Sequence, residues 1–349
     1  MNAPRLKLKR PRRLLLAPAA LAALTALVPG ALAAAPAELP APEKGLNILL
    51  VGLDTRKGVT EEEKERFRLG GQACDCTDVM MLVHVSAAND RVDVVALPRD
   101  SLTEFPAEHR DRRTGKLHAP HPAKINSAWA EGGSSYAVET VETMTGLSVD
   151  RYLEIDFRRF MDTVDRVEDG VPICTEVPLK DPSTGLDLAA GATRRVGGGE
   201  GLQYVRSRKA DGQMDFGRIQ KQQKFVMNTL QRLHDGPFDD PEWLVAFAAS
   251  LRGTAEAERG ISPEELLELA DRLRELPPER MEFATVPVVG FNPTIAGVGS
   301  TLAWDEEGAA EVFLRLREDR PLPRASEVAP STIAVGAYKP AKGSSLICP

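Results

Sequence analysis

Acidic residues stand at the ends of three apolar runs, where an ionised side chain is costly to bury without a partner of opposite charge. Asp54 follows the run NILLVGL, Asp78 precedes VMMLVHV, and Arg99 and Asp100 follow VVALP. Taken singly, an aspartate at the end of a strand is most often a turn or helix-capping residue. Two carboxylates at one edge of a sheet, however, repel each other unless a cation lies between them, and their oxygens suit Mg²⁺. Asp54 and Asp78 are therefore a candidate metal site for Mg²⁺, with Mn²⁺ as the alternative.

A basic segment at residues 197–226 stands out in a chain whose formal net charge is −7. Its basic residues are Arg206, Arg208, Lys209, Arg218, Lys221 and Lys224. Guanidinium groups are planar, forked donors that hold two phosphate oxygens at once, so the segment suits a phosphate ligand. The alternative interpretation is a set of internal ion pairs with the acids of the same segment, Glu200, Asp211 and Asp215.

The spacing within this segment predicts how its side chains are arranged. Arg206 and Arg208 are two residues apart, so in an extended backbone both side chains point the same way. A helix is predicted to follow, with an apolar stripe made of Ile219, Val226, Leu230 and Leu233. Arg218 and Gln222 are four residues apart and lie beside that stripe. We therefore expect these four polar side chains at the boundary of the core.

Other residues that could carry chemistry give weaker signals. His84 lies within an apolar run and is interpreted as a core histidine rather than a catalytic base. His109, His118 and His121 belong to a polar loop without apolar periodicity. The chain has no G-x-S-x-G elbow, no P-loop, and no G-x-G-x-x-G after its first predicted strand. Serine hydrolases and nucleotide-binding enzymes are therefore disfavoured, and the negative net charge disfavours a nucleic-acid-binding protein.

The elements that must position these residues form an α/β pattern. At 349 residues and 42% hydrophobic, the chain can bury a sizeable core. Residues 47–54 predict a strand buried on both faces, and residues 79–85 and 92–98 predict a hairpin. Further strands are predicted at 152–157, 171–177 and 283–290, and helices at 134–144, 157–167, 217–233, 308–316 and from Ser262 onward. We expect a three-layer α/β/α sandwich with a mixed central sheet.

The two ends of the chain are predicted to differ from this domain. Residues 1–35 place a basic stretch before an apolar run, the layout of a cleaved signal peptide or of a retained membrane anchor. Either one exports the remainder of the chain to the cell envelope. Residues 36–45 are an Ala/Pro-rich spacer, residues 46–325 the predicted catalytic domain, and residues 326–349 an irregular tail.

Four cysteines, Cys74, Cys76, Cys174 and Cys348, would then lie in an oxidising compartment where disulfides persist. Four cysteines allow three pairings, and the spacing does not choose among them. A zinc site is disfavoured, because Cys74 and Cys76 are too close for a zinc knuckle and no partner pair completes a tetrahedron.

At this point the chain resembles the LytR-CpsA-Psr family of cell-wall phosphotransferases, from about residue 47 to about residue 317. Six motifs carry the resemblance: NILLVGLDTR, TDVMMLVHV, VVALPRDSL, KINSAWAEGG, GLDLAAG and YVRSRKADGQMDFGRIQKQQ. Each motif alone is weak, whereas their order and combination are specific to this family.

The resemblance implies transfer of a glycan phosphate from an undecaprenyl-pyrophosphate carrier to a sugar hydroxyl of peptidoglycan. In such enzymes the acids matching Asp54 and Asp78 hold the metal, and an apolar pocket takes the prenyl chain. The pyrophosphate is held by the residues matching Arg99, Arg206, Arg208, Arg218 and Gln222. Arg99, Asp54 and Asp78 are thereby implied to be catalytic, and the acceptor proton would pass to Asp54, Asp78 or Asp100.

One departure from the family pattern concerns Cys76. Members of the family commonly have an arginine two residues before the acid that Asp78 matches, and here that position is Cys76. One pyrophosphate contact is therefore missing or comes from elsewhere. Two alternatives to a transferase stay open: a polyprenyl-pyrophosphate phosphatase, and a non-catalytic envelope protein that binds prenyl pyrophosphate.

Overall fold

The computed structural model describes residues 44–71, 74–234, 243, 259–273, 275–328, 330–331 and 336–349. Residues 1–35, predicted to be a signal peptide or anchor, lie outside the described residues, as does most of the predicted spacer at 36–45. Within the described part of the chain, no helix is both long enough and apolar enough to span a membrane.

The described residues alternate short strands with longer helices. The strands are β1 (Leu46–Leu53), β2 (Thr77–Val85), β3 (Val92–Ala96), β4 (Leu102–Glu104), β5 (His109–Arg110), β6 (Leu117–His118), β7 (Pro122–Lys124), β8 (Arg151–Ile155), β9 (Val171–Cys174), β10 (Leu179–Asp181), β11 (Leu186–Leu188), β12 (Thr193–Val196), β13 (Met281–Thr285), β14 (Val288–Phe291), β15 (Leu302–Trp304) and β16 (Ala341–Lys342). The helices are α1 (Glu61–Arg66), α2 (Ala128–Thr145), α3 (Phe157–Val164), α4 (Gly198–Arg206), α5 (Met214–His234), α6 (Pro263–Leu273) and α7 (Glu306–Arg317).

A six-stranded sheet in the order β16-β13-β3-β2-β1-β8 forms the centre of the fold. The sheet is mixed, because β1 pairs with β8 and β3 with β13 in parallel, whereas the other neighbours are antiparallel. Successive side chains of β1 point to opposite faces. Leu49 and Val51 join a core with residues of α2 and α7, and Leu46 and Ile48 join a core with residues of α5 and α6. This alternation confirms the predicted three-layer α/β/α sandwich.

A second core packs beside the sheet, around α3, α4 and the small pairs β9–β12 and β10–β11. Asp156 caps α3 by accepting from the backbone N–H of Arg159 at 2.8 Å. Phe160 and Phe225 meet with ring centroids 5.4 Å apart, so this core joins α3 to α5. Both rings line the same cavity as Asp78.

Several sequence-based predictions differ from the structure in detail. The predicted strand at 283–290 is two strands, β13 and β14, which belong to different sheets. The C-terminal residues, predicted to be irregular, contribute β16 to the edge of the central sheet. A disulfide between Cys174 and Cys348, with Cα atoms 5.6 Å apart, holds the chain end in place. The prediction missed β16 because two residues show no periodicity of their own and pair only because β13 offers a free edge.

His84 is a core histidine, as its position in an apolar run predicts. Its side chain is fully buried in β2, with Nδ1 2.8 Å from Asn47 Oδ1 and Nε2 3.0 Å from Asp319 Oδ1. Burial lowers the pKa of His84, although the carboxylate of Asp319 opposes this effect. Both ring nitrogens are engaged, and the residue takes no part in the site described below.

Candidate functional site

The polar residues singled out in the sequence meet at one edge of the central sheet. Because β1 and β2 are antiparallel, the end of β1 lies beside the start of β2, and Asp54 and Asp78 come to the same edge. The backbone N–H of Asp54 donates to the carbonyl of Cys76 at 3.1 Å, just past an irregularity in the ladder at Gly52 and Leu53. β3 runs antiparallel to β2, so its end delivers Arg99 to this edge as well.

Asp78 is the centre of the buried charges at this edge. Its carboxylate Oδ1 accepts a hydrogen bond from Arg99 Nη1 and lies 3.6 Å from Arg218 Nη1. Burial raises the pKa of the Asp78 carboxyl, but Arg218 and Arg99 more than offset this effect and hold the pKa below its usual value. Arg218 is only 3% exposed, and this burial lowers the pKa of its guanidinium. Asp78 is therefore an ionised carboxylate held between two arginines.

Asp215 is a central residue that the sequence suggested only as an internal ion-pair partner. Its carboxylate lies 2.8 Å from Arg208 Nε, 3.0 Å from Arg218 Nη2 and 3.8 Å from Arg99 Nη2. Asp215 occupies the first turn of α5, where an acid is favoured by the helix dipole. The ion-pair interpretation of the basic segment is thus correct for Asp215, and these pairs also draw three arginines to one place.

Arg206 and Arg208 do not share a face in the way an extended backbone would require. Arg206 is the last residue of α4, and the next residue, Ser207, has extended backbone angles. The chain therefore turns between the two arginines. The carboxylate of Asp181 accepts from the backbone N–H groups of Arg208 and Lys209 at 2.7 and 3.0 Å and fixes this turn. The prediction that the Arg206 and Arg208 side chains point the same way was wrong, because it treated the end of a helix as part of a strand.

Arg206 instead points toward Phe157 at the start of α3. Its Cζ lies 5.1 Å from the centre of the Phe157 ring, and its Nη1 donates to the carbonyl of Arg68 at 3.4 Å. Within the described residues it forms no ion pair within 4.0 Å. Burial lowers the pKa of Arg206, and the carboxylates of Asp54 and Asp78 oppose this effect only in part. Arg206 therefore retains unused charge and donor capacity.

Gln222 lies one helical turn after Arg218 on α5, as the spacing predicts. Its side-chain Nε2 donates to the carbonyl of Val205 at 3.1 Å, which ties α5 to the end of α4 next to Arg206. Within the described part of the chain, buried Nε atoms of Arg99 and Arg218 lack any hydrogen-bond acceptor. Buried donors are rarely left unpaired, and an anion bound at this edge would supply the acceptors that these two groups lack.

Arg56 is a site residue that the sequence prediction did not single out, although it stands in the motif GLDTR. Its Nε and Nη2 both lie 3.2 Å from Asp54 Oδ1, and its Cζ lies 5.9 Å from the centre of the Phe157 ring. Arg56 and Arg206 therefore flank one aromatic ring. Cys76, where the family pattern has an arginine, forms a disulfide with Cys74 and offers no charge.

The donor set at this edge fits a hard divalent cation. Burial raises the pKa of Asp54, Arg56 lowers it, and the nearby carboxylate of Asp78 raises it again, so that the net pKa is above its usual value. The carboxylate of Asp78 thus destabilises the charge of Asp54, and a cation with a preference for oxygen ligands would relieve this effect. Asp54 and Asp78 offer oxygen ligands of the kind that Mg²⁺ or Mn²⁺ prefers, although arginines already contact both acids.

An apolar cavity opens beside the guanidinium groups. A volume of about 120 Å³ is lined on its polar side by Asp78, Arg206, Arg218 and Gln222, and otherwise mainly by apolar side chains such as Phe157, Phe160 and Phe225. A second cavity of about 260 Å³ lies under the sheet between α5 and α6. Leu50 and Val226 line both cavities, so the two are neighbours along α5. The site therefore combines an anion-binding end with a long apolar side.

Comparison with known proteins identifies relatives in bacterial cell-wall synthesis. The model of the LytR_cpsA_psr family matches residues 32–318. "Probable cell wall biosynthesis protein LcpB" of Corynebacterium glutamicum is 32% identical over 286 residues, 81% of this chain and 64% of LcpB. TagV of Bacillus subtilis, named a polyisoprenyl-teichoic acid–peptidoglycan teichoic acid transferase, is 26% identical over 197 residues, 55% of this chain and 44% of TagV. The chain thus spans less than two thirds of either relative's length.

Solved structures share the fold. The crystal structure of protein gbs0355 from Streptococcus agalactiae superposes with a TM-score of 0.60 at 21% identity, covering 80% of this chain and 90% of that one. Crystalline TagV of B. subtilis gives a TM-score of 0.58 at 20% identity, covering 80% of this chain and 99% of TagV. At these identities the likeness establishes the fold alone.

Proposed function

The chain belongs to the LytR-CpsA-Psr family, and from this premise we propose that it transfers a glycopolymer phosphate from an undecaprenyl-pyrophosphate carrier to a sugar hydroxyl of peptidoglycan. The observation that carries the proposal is the position of the guanidinium cluster at the polar end of an apolar cavity. A prenyl pyrophosphate has the same two parts, a strongly charged head on a long hydrocarbon chain. A water-soluble phosphate would make no use of the apolar part of this site.

The contacts that each arginine already makes decide which of its donors are available to the pyrophosphate. Arg99 and Arg218 have free, buried Nε donors, and Arg206 has no ion-pair partner within the described residues, so these three groups are available for phosphate oxygens. Arg208 is held by Asp215 and would contribute from the rim. Arg56, which shares the Phe157 ring with Arg206, is the residue we propose in place of the arginine missing at Cys76.

In the proposed reaction, the acceptor hydroxyl attacks the phosphorus that carries the glycan. A new P–O bond forms to the acceptor, whose hydroxyl proton passes to Asp54, Asp78 or Asp100. The bridging P–O bond breaks, and the prenyl phosphate leaves. Fixed guanidinium groups stabilise the charge that develops on the phosphoryl oxygens and on the leaving phosphate. Asp54 and Asp78 would hold Mg²⁺ or Mn²⁺, which supplies further neutralisation of pyrophosphate charge when bound.

The setting of the reaction is part of the proposal. A carrier lipid restricts the enzyme to the membrane surface, and the N-terminal sequence would export the domain to the cell envelope. The names of LcpB and TagV place those relatives in cell-wall synthesis and in teichoic acid attachment, respectively. By analogy we propose that this chain acts on a secondary glycopolymer at the outer face of the membrane.

The test is a product analysis with the purified chain, a synthetic prenyl-pyrophosphate glycan, MgCl₂ and a peptidoglycan oligosaccharide. A transferase forms a glycan–phosphate–peptidoglycan product together with prenyl phosphate. Release of prenyl phosphate with water alone, at the same rate without the oligosaccharide, identifies a phosphatase. Binding without turnover identifies a carrier-binding protein, and absence of binding defeats all three functions.

A variant pair makes this test specific to the site. Arg99→Gln removes a cation that contacts Asp78, and we expect it to reduce turnover by about 100-fold or more. Arg195→Gln removes the same charge from an exposed position of β12 and serves as the matched control. Equal turnover by the two variants would exclude Arg99 from the site.

A further inference from the structure

Three of the five histidines of the chain meet one glutamate at the N-terminal part of α2, away from the arginine cluster. His109 in β5 and His118 in β6 face each other directly across an antiparallel pair. His121 follows in the chain before β7, and Glu131 projects from the first turn of α2. The sequence predicted a polar loop without apolar periodicity here, and the spacing His-x8-His-x2-His has no helix or strand period. The hairpin turn brings the rings together.

The distances within this cluster are those of a metal site. His109 Nε2 lies 3.2 Å, and His121 Nε2 3.5 Å, from the same oxygen of Glu131. The ligand atoms of His109, His118 and Glu131 all lie within 4.8 Å of one another. Two ligands on a tetrahedral zinc ion are about 3.4 Å apart when each bond is about 2.1 Å long. The cluster is therefore looser than a closed zinc site, and binding of an ion would draw the side chains inward.

The hydrogen bonds on the far side of the rings also favour a cation. The Nδ1 of His121 lies 2.9 Å from the carbonyl of Ala119, and because a carbonyl only accepts, Nδ1 must carry the hydrogen. The Nδ1 of His109 faces the carbonyl of Ala107 at 3.4 Å in the same manner. A neutral ring with hydrogen on Nδ1 then presents a lone pair at Nε2 toward the carboxylate of Glu131. Two acceptors face each other unless a proton or a metal cation lies between them.

The surroundings of the cluster resemble the shell that orients metal ligands in proteins. A backbone carbonyl on the second nitrogen is the common way in which a ligating histidine is held in one orientation. Tyr136 stacks on His109 with ring centroids 4.3 Å apart, and Phe105 meets His121 edge-on at 5.1 Å. His109 and Glu131 are each only 8% exposed. The rings are thus fixed by packing on one side and by backbone on the other.

We propose that His109, His118, His121 and Glu131 form a structural Zn²⁺ site that joins the β5–β6 hairpin and the following loop to α2. Four protein ligands leave no open position, which is the arrangement of a structural rather than a catalytic zinc ion. Imidazole nitrogens select zinc over Mg²⁺, so this site and the carboxylates of Asp54 and Asp78 take different ions.

The site would stabilise the segment that supports the arginine cluster. β7 follows His121, and its Lys124 Nζ lies 3.0 Å from Asp100 Oδ1. The backbone N–H of Asn126 donates to the carbonyl of Arg99 at 3.2 Å. A zinc ion at the far end of this segment would fix the length and direction of the segment. None of the four zinc ligands takes part in the proposed reaction.

The experiment measures metal binding by the tag-free, refolding-competent full chain after treatment with a chelator. We expect one equivalent of Zn²⁺ per chain, a rise in the thermal midpoint with ZnCl₂ that MgCl₂ does not reproduce, and a tetrahedral d–d absorption spectrum with Co²⁺. Failure of the wild-type chain to bind Zn²⁺ stoichiometrically, or an octahedral Co²⁺ spectrum, overturns the proposal without reference to any variant.

Variants locate the ion within the wild-type chain. His118→Gln, at a partly exposed position, and Glu131→Gln are each expected to weaken Zn²⁺ binding by more than roughly 100-fold. Glu139→Gln, which changes an exposed acid on the same helix, and Asp54→Asn are expected to keep the full equivalent. Unchanged binding in His118→Gln, or loss in Asp54→Asn alone, would place the ion elsewhere and refute the site.

Discussion

Arg218 Nη1 lies 3.6 Å from Asp78 Oδ1, in a place where the whole arginine is only 3% exposed. The guanidinium has thus left water, and it stabilises the charge of a carboxylate that is only partly buried. Arg218 also lies 3.0 Å from Asp215, so its removal would leave two partly buried carboxylates with fewer partners.

We expect Arg218→Ala to lower the free energy of unfolding by about 3 kcal/mol, because breaking a buried ion pair strands the remaining charge. Urea unfolding without added divalent cation measures the change. Lys180→Ala is the matched control, since Lys180 pairs with Asp187 on the surface at 3.0 Å and should cost less than about 1 kcal/mol. If Arg218→Ala were as stable as the control, the two acids would not depend on Arg218.

Arg206 should behave in the opposite way. It has no ion-pair partner within the described residues and is partly desolvated, so Arg206→Ala should leave the free energy of unfolding within about 1 kcal/mol of wild type. The same change should weaken binding of a prenyl pyrophosphate by about 10- to 100-fold, the value of one or two charge-assisted hydrogen bonds. Calorimetric titration measures the affinity, with Arg195→Ala as control. Normal affinity together with normal stability would remove Arg206 from the pyrophosphate site.

The apolar cavities predict a dependence on chain length. Val226 lines both cavities, and Val226→Phe should obstruct the passage between them. We expect affinity for a long polyprenyl pyrophosphate to fall at least about tenfold, the value of one or two buried methylenes, while a short isoprenyl pyrophosphate binds as before. Val177→Phe adds the same bulk at an exposed position. Equal losses for long and short chains would show that the cavities do not hold the prenyl chain.

The two disulfides should contribute unequally to stability. Cys174–Cys348 closes a loop of 174 residues, whereas Cys74–Cys76 spans a separation of two. Loop-closure entropy in the unfolded chain predicts about 5 kcal/mol for the first bond and about 2 kcal/mol for the second. Urea unfolding of Cys174→Ala/Cys348→Ala and of Cys74→Ala/Cys76→Ala tests the order. A larger loss in the second pair would contradict the entropic explanation.

Asp93 predicts a specific pH dependence of stability. Its carboxyl is fully buried, and burial raises its pKa to about 6, although Arg91 opposes the shift at 2.7 Å. The folded state therefore binds the Asp93 proton more tightly than the unfolded state, and this contribution to stability is present at low pH and declines as the pH rises through about 6. Above that pH, ionisation of the buried Asp93 carboxyl has lowered the free energy of unfolding by about 3 kcal/mol in total.

Asn does not ionise, so Asp93→Asn should gain stability relative to wild type as the pH rises. About half of the total loss in wild type, about 1.5 kcal/mol, should appear between pH 5 and pH 8. Urea unfolding at the two pH values measures the difference between variant and wild type. Asp187→Asn, an exposed acid in β11, should show no such change between the two pH values. A gain that is equal at pH 5 and pH 8 would refute the assignment to Asp93.

The sequence by itself determined the central elements and most residues of the arginine site, but not Arg56. Apolar runs of the right length predicted β1, β2 and β3, because strands buried on both faces leave little choice of residue type. Charged residues at the ends of those runs were unusual enough to identify Asp54, Asp78 and Arg99. The spacing on α5 placed Arg218 and Gln222 correctly, because a long helix has a fixed period.

Only the tertiary structure decided which of these groups meet. The direction of Arg206 depended on where α4 ends, and the role of Arg56 depended on Phe157, a residue a hundred positions away. β16 exists because β13 leaves an edge open, and the disulfide between Cys348 and Cys174 joins segments that are far apart in the sequence. The histidine cluster likewise needs a hairpin and a helix to meet. Local periodicity reports which face a residue takes, whereas contacts between distant segments are set by how the faces pack.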